Sequence, residues 1–233
     1  MSKNFSIIVP VFNEEDNILR LMNELLIALP LNIFKYEIII VNDCSTDKTF
    51  EKLEKLLDKG FIKIITNKKN MGQSYSIKQG IKNSFYETIV NIDGDCQNNP
   101  LDIPKLLDLY FSDKEIKLVG GIRKNRKDNF IKIYSSKIAN SIRSFILKDD
   151  CTDTGCSLKV IDKKIFLKFN FFNGIHRFLP ALYKGYGSKT AFIDVDHRPR
   201  IGGKSKYGTL KRLFQGIVDL IRVKLIINKL KND

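Results

Sequence analysis

The chain is predicted to be an α/β protein with a mostly parallel sheet flanked by helices. Over the first 122 of its 233 residues, short apolar runs rich in β-branched residues alternate with longer segments of helical spacing. Such nearly continuous apolar runs are typical of strands buried on both faces, as in a parallel sheet covered by helices. Polar clusters follow directly after several of these runs. They support the same arrangement, because ligands of open α/β sheets bind outside the carboxyl ends of the strands.

Each predicted element of the first half has its own signal. The strands are nearly continuous apolar runs, and the helices repeat apolar residues every three or four positions. The first helix ends at Pro30, and Ser45-Thr46-Asp47 supplies the N-cap of the second helix. In chain order the elements are strand 5–11, helix 14–29, strand 36–41, helix 47–58, strand 61–66, helix 73–85, strand 88–92, helix 99–110 and strand 116–122.

The second half of the chain is less regular and ends in an amphipathic helix. Its predicted elements are helix 128–147, strand 156–161, helix 178–183, strand 189–195 and helix 207–230. The apolar face of the last helix consists of Leu210, Leu213, Phe214, Ile217, Val218, Ile221 and Leu225. The opposite, polar face consists of Lys211, Arg212, Gln215, Asp219 and Arg222. The apolar face is expected either to pack on the sheet or to lie on a membrane surface.

Charge and composition restrict the class of partner. The net charge is +14, and residues 197–233 contribute +8 of it, with ten Lys and Arg against two Asp. Such an excess indicates nucleic acid, an anionic membrane or a phosphorylated substrate as partner. No nucleic-acid-binding motif is recognisable, so nucleic acid is not expected. The cysteines lack zinc-type spacing, the N-terminus shows no targeting signal, and no apolar stretch approaches a membrane span, so we expect a cytoplasmic protein.

Four polar clusters follow predicted strand ends and are expected to share one crevice. They are Asn13-Glu14, Asn42-Asp43, Asp93-Gly94-Asp95 and Arg123. No glycine-rich dinucleotide or P-loop motif lies near these ends, so binding of those kinds is disfavoured. Asp43 is open to two interpretations. It caps the turn ahead of the next helix, or it accepts a hydrogen bond from the base or ribose of a nucleotide.

Asp93-Gly94-Asp95 is the sharpest local feature of the sequence. Two carboxylates separated by one small residue at a strand end can face the same cation. Mg²⁺ and Mn²⁺ take oxygen ligands, commonly one or two carboxylates together with substrate phosphates. Gln97 is a candidate third ligand or an orienting group. The alternative is a turn with two solvated aspartates, but the position at the end of an apolar strand favours the metal site.

The order and spacing of these motifs resemble those of inverting family 2 glycosyltransferases. The segments that carry this resemblance are 9–14 (VPVFNE), 40–47 (IVNDCSTD), 70–72 (NMG) and 93–97 (DGDCQ), followed by Pro100. Further segments are similar to polyprenyl-phosphate sugar transferases of the dolichol-phosphate mannose synthase type. They are 153–159 (DTGCSLK), 176–178 (HRF), 197–200 (HRPR) and 203–207 (GKSKY). The resemblance runs from about Phe5 to Leu225, which is nearly the whole chain.

The resemblance implies a GT-A fold and a set of site residues. The implied donor-binding residues are Pro10, Phe12, Glu14, Asp43, Asp93, Gly94, Asp95 and Gln97, of which Asp93, Asp95 and Gln97 would also bind Mg²⁺ or Mn²⁺. The implied acceptor- and phosphate-binding residues are Arg123, Lys132, Ser136, Arg200 and Lys206. The implied catalytic residues are Asp153, Asp95 and Arg123, with Asp153 as the carboxylate beside the reacting centre.

Two positions depart from the family pattern. Lys132 stands where the family has an arginine, so a point charge replaces a two-pronged donor. Gly94 stands where alanine is common, and it preserves the small size.

The implied reaction is metal-dependent, inverting transfer of a sugar from a GDP- or UDP-sugar, with GDP-mannose favoured, to a polyprenyl phosphate such as dolichyl or undecaprenyl phosphate. Such a phosphate is already ionised, so alignment and charge neutralisation suffice. The alternative is a family 2 enzyme acting on a soluble or polysaccharide hydroxyl, which would need Asp153 as a base. A remote alternative is a basic module that binds nucleic acid or membrane. His176 and His197 are expected to hydrogen-bond within loops.

We expect residues 1–206 to form the catalytic domain, with a nucleotide-binding half at about 1–122 and an acceptor half at about 123–206. Residues 207–233 are expected to form the basic amphipathic helix. The expected partners are a nucleotide-sugar donor, a polyprenyl phosphate acceptor and an anionic membrane surface. The protein is therefore expected to be held peripherally at the cytoplasmic face of the membrane.

Overall fold

The computed structural model describes residues 3–56, 60–124, 140–199 and 209–232, and within the last range it describes the side chains of residues 215–230. At its centre is a seven-stranded sheet in the order β3-β2-β1-β4-β6-β5-β7. The strands are β1 (Asn4–Val11), β2 (Lys35–Asn42), β3 (Ile62–Thr66), β4 (Thr88–Asn91), β5 (Ile116–Arg123), β6 (Lys159–Asp162) and β7 (Lys189–Val195).

The sheet is mostly parallel, as predicted. β1 pairs in parallel with β2 and β4, β2 pairs in parallel with β3, and β5 pairs in parallel with β7. Among the described strands, only β6 runs against the others, because it is antiparallel to both of its neighbours, β4 and β5. The carboxyl ends of β1, β2, β4 and β5 therefore lie at the same edge of the sheet.

Helices cover both faces of the sheet. They are α1 (Ile18–Ala28), α2 (Thr49–Glu54), α3 (Gln73–Lys82), α4 (Ile103–Ser112), α5 (helical residues 140–147), α6 (Lys163–Phe166), α7 (Leu179–Gly185) and α8 (Thr209–Asn232). Neighbouring residues of β1 belong to different cores, because Ile7 packs with α1 and α4 whereas Ile8 packs with α3 and α7. Gly80 lets α3 approach the sheet closely, since a Cβ at that position would lie 2.5 Å from Cγ2 of Ile8.

The ends of several predicted elements are shifted in the structure. α1 begins at Ile18, because the preceding residues form a turn in which the N–H groups of Asn17 and Ile18 donate to the carbonyl of Glu14. β6 begins at Lys159 and not at residue 156. The predicted helix 128–147 is described from residue 140 onward, and that part is helical.

α8 turns much of its predicted apolar face outward and buries one residue of its predicted polar face. The buried side consists of Asp219, Val223 and Ile227, which are 0%, 0% and 6% exposed. The outer side carries an apolar stripe of Ile217, Val218, Ile221 and Leu225, which are 51%, 37%, 57% and 64% exposed. Of the two expected arrangements, packing of the apolar face on the sheet is therefore wrong for this stripe, and the burial of Asp219 was not predicted. Within the described ranges, no helix is both long and apolar enough to cross a membrane.

Candidate active site

A cleft opens at the carboxyl ends of β1, β2 and β4, where the polar clusters were predicted to meet. Its empty volume is about 590 Å³. Seven of the eight donor-binding residues implied by the sequence line it, namely Pro10, Phe12, Glu14, Asp43, Asp93, Gly94 and Asp95. Asn70 and Gln73 complete the wall beside Asp43 and Asp93. The edge of the sheet thus collects residues from four separate parts of the chain into one site.

Gly94 is confined between the two aspartates of the Asp93-Gly94-Asp95 turn, just beyond the end of β4. A Cβ at position 94 would lie 2.7 Å from Cγ1 of Val11 and 3.4 Å from the carbonyl oxygen of Pro10. The side chain of Val11 therefore occupies the space that an alanine would need. The close packing keeps both carboxylates beside the cleft.

The electrostatics of Asp93 favour a cation. Gln73 donates from Nε2 to Oδ1 of Asp93 at 2.7 Å. Burial, and after it the charge of Asp95, raise the pKa of Asp93 to about 7, against the opposing influence of Ser157, Lys159 and Gln73. An ionised pair of neighbouring carboxylates is costly in this position, and a bound cation would remove that cost.

The donor set fits a hard divalent cation. In the part of the chain that the structure describes, no three His, Cys, Asp or Glu side chains cluster as a metal site. Two carboxylates beside an open cleft suit Mg²⁺ or Mn²⁺, which leave their other positions to phosphates and water. Cys96 and Cys156 are both buried and do not line the cleft, and burial raises the pKa of each thiol to about 11.

Gln97 lies beside the aspartates and contacts the chain after β7. Its backbone N–H donates to Oδ1 of Asp95 at 3.2 Å. Its side-chain amide donates to the carbonyl of Arg198 at 3.4 Å. Its two predicted roles, metal ligand and orienting group, both stay predictions.

The loops after β1 and β2 brace each other at the cleft. The N–H of Asn13 donates to Oγ of Ser45 at 3.0 Å, and the N–H of Thr46 donates to Oδ1 of Asn13 at 2.8 Å. The N–H of Glu14 donates to Oγ1 of Thr49 at 2.8 Å. These bonds fix the backbone on either side of the cleft-lining Phe12 and Glu14.

Asp43 is almost fully buried and organises the next loop. Its Oδ1 accepts hydrogen bonds from Nδ2 of Asn67 at 2.7 Å and from the N–H of Met71 at 2.9 Å. Its Oδ2 accepts from the N–H of Gly72 at 2.7 Å. Gly72 has φ of +87°, a left-handed conformation that favours glycine. Asp43 therefore does cap a turn, but the turn that follows β3 and not the one beside it in sequence.

Arg123 and Asp153 form a two-pronged ion pair. Nε of Arg123 donates to Oδ2 of Asp153 at 2.7 Å, and Nη2 donates to Oδ1 at 2.8 Å. The N–H of Arg123 also donates to Oδ2 at 3.2 Å. The two side chains are 13% and 8% exposed. Gly155 makes the room, because a Cβ there would lie 2.7 Å from Nη2 of Arg123.

The segment that follows Asp153 places Ser157 and Lys159 near Asp93 of the cleft. The carbonyl of Ser157 accepts a hydrogen bond from Nδ2 of Asn91 at 2.9 Å, and the hydroxyl of Ser157 donates to Oδ1 of Asn98 at 2.6 Å. Ser157 also lowers the pKa of Asp93. Lys159 is only 3% exposed, and its Nζ donates to the carbonyl of Cys156. Gln73, Ser157 and Lys159 were not predicted as site residues. Ser157 and Lys159 do lie within the segment 153–159 that carried the resemblance.

Hydrogen bonds of Arg198 hold the chain segment that follows β7 beside the cleft. Its N–H donates to the carbonyl of Gln97 at 2.9 Å, and its guanidinium donates to Glu24 at 2.6 Å and to Asn99 at 2.7 Å. Four of the implied acceptor- and phosphate-binding residues lie outside the described residues, and these are Lys132, Ser136, Arg200 and Lys206.

Comparison with known proteins gives relatives over almost the whole chain. A dodecaprenyl-phosphate galacturonate synthase of Rhizobium johnstonii is 34% identical over 227 residues, which cover 95% of this chain and 67% of the relative. An undecaprenyl-phosphate 4-deoxy-4-formamido-L-arabinose transferase of Pectobacterium carotovorum is 31% identical over 212 residues, which cover 90% of this chain and 64% of the relative. The chain thus spans about two thirds of the length of these curated relatives.

Solved structures show the same fold. Glucosyl-3-phosphoglycerate synthase of Mycobacterium tuberculosis, in complex with Mn²⁺, UDP and glucosyl-3-phosphoglycerate, superposes with a TM-score of 0.69 over 96% of this chain and 79% of that one. The same enzyme with Mg²⁺ and UDP also gives 0.69. The sequence identity is 14% in both cases, so the likeness establishes the GT-A fold alone.

The family assignment rests on a model that covers most of the chain. The model of "Glycosyl transferase family 2" matches residues 6–169, which contain most of β1, all of β2 to β6 and both cleft aspartates. Together with the relatives and the fold, this match shows that the chain is a glycosyltransferase and belongs to glycosyl transferase family 2.

Proposed function

We propose that this enzyme transfers a sugar from a nucleoside diphosphate sugar to a polyprenyl phosphate, with inversion at the anomeric carbon. The two named relatives support this acceptor class, because their names specify dodecaprenyl phosphate and undecaprenyl phosphate. The observation that carries the proposal is the ion pair of Arg123 and Asp153. It favours a phosphate acceptor over a hydroxyl acceptor.

A hydroxyl acceptor needs a base, whereas an ionised phosphate does not. Asp153, the candidate base, has both carboxylate oxygens engaged by the guanidinium of Arg123. A carboxylate paired in this way is a weak proton acceptor, because the neighbouring positive charge stabilises its ionised form. The same pair holds a guanidinium in one orientation, and guanidinium groups bind phosphates well. We therefore assign Asp153 a positioning role, with Arg123 as the group that meets the acceptor phosphate.

The proposed cofactor is Mg²⁺ or Mn²⁺, held by Asp93 and Asp95 and flanked by Gln97. The structural neighbours described with Mn²⁺ or Mg²⁺ and UDP support the choice of ions. When bound, the ion would neutralise the negative charge that develops on the departing nucleoside diphosphate. Pro10, Phe12, Glu14 and the loop held by Asp43 would bind the base and ribose. Arg200 and Lys206, with Lys132 and Ser136, remain proposed phosphate contacts.

The sugar is proposed from the relatives and not from the mannose transferases that the sequence resembles. The named relatives transfer galacturonate and 4-deoxy-4-formamido-L-arabinose, and neither name supports GDP-mannose as donor. We therefore rank UDP-linked uronic acids and amino sugars ahead of GDP-mannose. The nucleotide-binding half would be residues 1–122 and the acceptor half residues 123–206.

The site of action is proposed to be the cytoplasmic face of a membrane, since the acceptor is a lipid. Apolar side chains that project from two neighbouring helices suit such a surface. Phe145 and Ile142 of α5 are 85% and 54% exposed, and Nζ of Lys224 in α8 donates to the carbonyl of Ile146 at 3.2 Å. The apolar stripe of α8 extends the same kind of surface. Residues 207–233 would thus hold the enzyme at the interface and would not span the membrane.

A transfer assay tests the proposal. Purified enzyme is incubated with undecaprenyl phosphate in mixed micelles and a panel of radiolabelled UDP- and GDP-sugars, and label is counted in the organic phase. We expect organic-soluble product from one donor in the presence of Mg²⁺ or Mn²⁺, and none in EDTA. Asp95→Asn should abolish transfer. Asp108→Asn is the matched control, because Asp108 is an exposed aspartate of α4 that pairs with Lys3.

Two results would contradict the proposal. Label that appears only in water-soluble or polysaccharide product would assign a hydroxyl acceptor. Undiminished transfer in EDTA would remove the metal from the reaction.

A further inference from the structure

α8 has apolar side chains on two opposite sides. Val223 and Ile227 are buried, whereas Ile221 and Leu225 of the apolar stripe face outward. The buried side also contains a carboxylate, because Asp219 is fully buried. Rotation by about half a turn would bury the stripe and return the charge of Asp219 to water, but it would expose Val223 and Ile227. Apolar burial alone therefore does not fix the rotation of α8, and the polar contacts of Asp219 distinguish the two orientations.

The contacts of Asp219 form a polar latch between α8 and the 3₁₀ turn Ile175–Arg177. Oδ2 of Asp219 lies 3.3 Å from Nη2 of Arg177. Its Oδ1 accepts from Nε2 of Gln215 at 3.0 Å and from Nη1 of Arg222 at 3.4 Å. A buried carboxylate is tolerated when it is paired and hydrogen-bonded in this manner.

The turn is shaped to receive this carboxylate. Gly174 has φ of +99°, and a Cβ there would lie 2.7 Å from both Oδ2 of Asp219 and Nη2 of Arg177. Arg222 adds a second contact, with its guanidinium carbon 5.2 Å from the ring centre of Phe172. Only one rotation of α8 brings all of these groups together.

We propose that Asp219 is a positioning residue, and that its latch with Arg177 keeps the apolar stripe of α8 turned outward to dock on an anionic lipid bilayer. This inference rests on the proposed action at a membrane. The charges around the stripe, as well as its apolar side chains, indicate that the surface it contacts is an anionic bilayer. Arg222 is 45% exposed next to the stripe, Lys229 is exposed on the same helix, and the whole chain carries +14. Basic residues around an apolar helix face suit a surface of anionic headgroups.

The latch also adjoins the donor site. Nδ1 of His176, the residue before Arg177, lies 2.6 Å from Oγ of Ser74 in the first turn of α3, and Oγ of Ser74 accepts from the N–H of Gly174 at 2.9 Å. The residue before Ser74 is Gln73, which holds Asp93. A test of the latch must therefore measure nucleotide binding separately from membrane binding.

Flotation with vesicles of phosphatidylcholine and phosphatidylglycerol tests the proposal, because the latch and simple electrostatics predict opposite changes in vesicle binding for Asp219→Asn. Asp219→Asn raises the net positive charge, so electrostatics alone would strengthen binding to these vesicles. Loss of the latch lets α8 rotate and bury the stripe, and we expect binding about tenfold weaker. Asp108→Asn makes the same charge change at an exposed site and should bind as well as the original protein or better. Arg177→Gln should weaken binding as Asp219→Asn does.

Thiol labelling in solution tests the latch independently of membrane binding. A cysteine at position 221, introduced as Ile221→Cys with Cys44→Ser, should react quickly with a maleimide. Adding Asp219→Asn should slow that reaction, while circular dichroism and nucleotide affinity stay unchanged. Vesicles should protect the thiol.

The outcomes that overturn the inference are distinct from those that overturn the proposed function. Equal or stronger vesicle binding by Asp219→Asn, or unchanged labelling at position 221, would refute the latch. Protection by dimer formation in the absence of vesicles would assign the stripe to a second copy of the chain and refute the bilayer as its occupant. If no variant binds vesicles, the membrane docking fails, whereas transfer to micellar lipid still tests the proposed reaction.

Discussion

Replacement of Asp153 by asparagine keeps the size of the side chain and removes its charge. Arg123 then remains in a site where its side chain is 13% exposed, without the carboxylate that engages Nε and Nη2. Removing one partner of a largely buried pair costs about 3–5 kcal/mol in the free energy of unfolding, because the remaining charge is uncompensated. We expect Asp153→Asn to lose stability in that range when unfolding is followed by urea denaturation.

The effect on transfer follows from the position of the guanidinium. A charge-assisted hydrogen bond to the acceptor phosphate contributes about 1.5–3 kcal/mol. Losing it lowers kcat/KM for polyprenyl phosphate by about 10- to 100-fold. If Asp153 only positions Arg123, the residual activity of Asp153→Asn should keep the pH dependence of the unmodified enzyme. Arg123→Lys should be nearly as impaired, because an ammonium cannot reproduce the two-pronged contact.

A double-mutant cycle measures whether the two residues act as a unit. With Arg123→Gln, Asp153→Asn and the double variant, we expect the effects on stability to couple by about 2 kcal/mol. The exposed pair of Lys3 and Asp108 is the control, with an expected coupling below about 1 kcal/mol. Additive effects at Arg123 and Asp153, or recovery of Asp153→Asn by added formate or azide, would refute the positioning role and indicate a base.

Three further predictions concern the cleft. Because the pKa of Asp93 is raised from 3.8 to about 7, ionisation is disfavoured in the metal-free fold, so the free energy of unfolding should fall as pH rises from about 4 to 7. Thermal denaturation should show that Asp93→Asn removes this fall and that Mn²⁺ opposes it in the original protein. Gly94→Ala should cost about 1–3 kcal/mol of stability and weaken nucleotide binding, and Val11→Ala should restore both by removing the colliding methyl group. Asp43→Asn should weaken nucleotide binding about tenfold and speed hydrogen exchange over residues 67–72, because one carboxylate oxygen that accepts a backbone N–H is replaced by a donor.

Local signals were sufficient for the first half of the fold. Apolar runs and helical spacing predicted β1 to β5 and α1 to α4 in the correct order, since each is decided by a short stretch of chain. The cleft followed from one topological rule, because parallel strands collect their carboxyl ends at one edge. Asp93 and Asp95 could therefore be placed beside Glu14 and Asp43 without coordinates.

Pairing across long stretches of chain could not be predicted in this way. The insertion of β6 between β4 and β5 leaves no mark in local periodicity, because a buried antiparallel strand and a buried parallel strand look alike. Arg123 and Asp153 lie 30 positions apart, and the residues around each of them do not indicate that the two side chains pair. The same limit applies to α8, because its periodicity does not show that Asp219 is buried against Arg177 of a distant turn.

The most direct test of the central claim is the metal-dependent formation of a sugar-linked polyprenyl phosphate. Enzyme, undecaprenyl phosphate and the donor selected from the panel of UDP- and GDP-sugars are mixed with Mn²⁺, and the product is identified by mass spectrometry after organic extraction. We predict a single sugar on the lipid phosphate, in the configuration opposite to that of the donor. No such product should form in EDTA or with Asp95→Asn. A lipid product with retained configuration, or one formed equally well by Asp95→Asn, would contradict this claim.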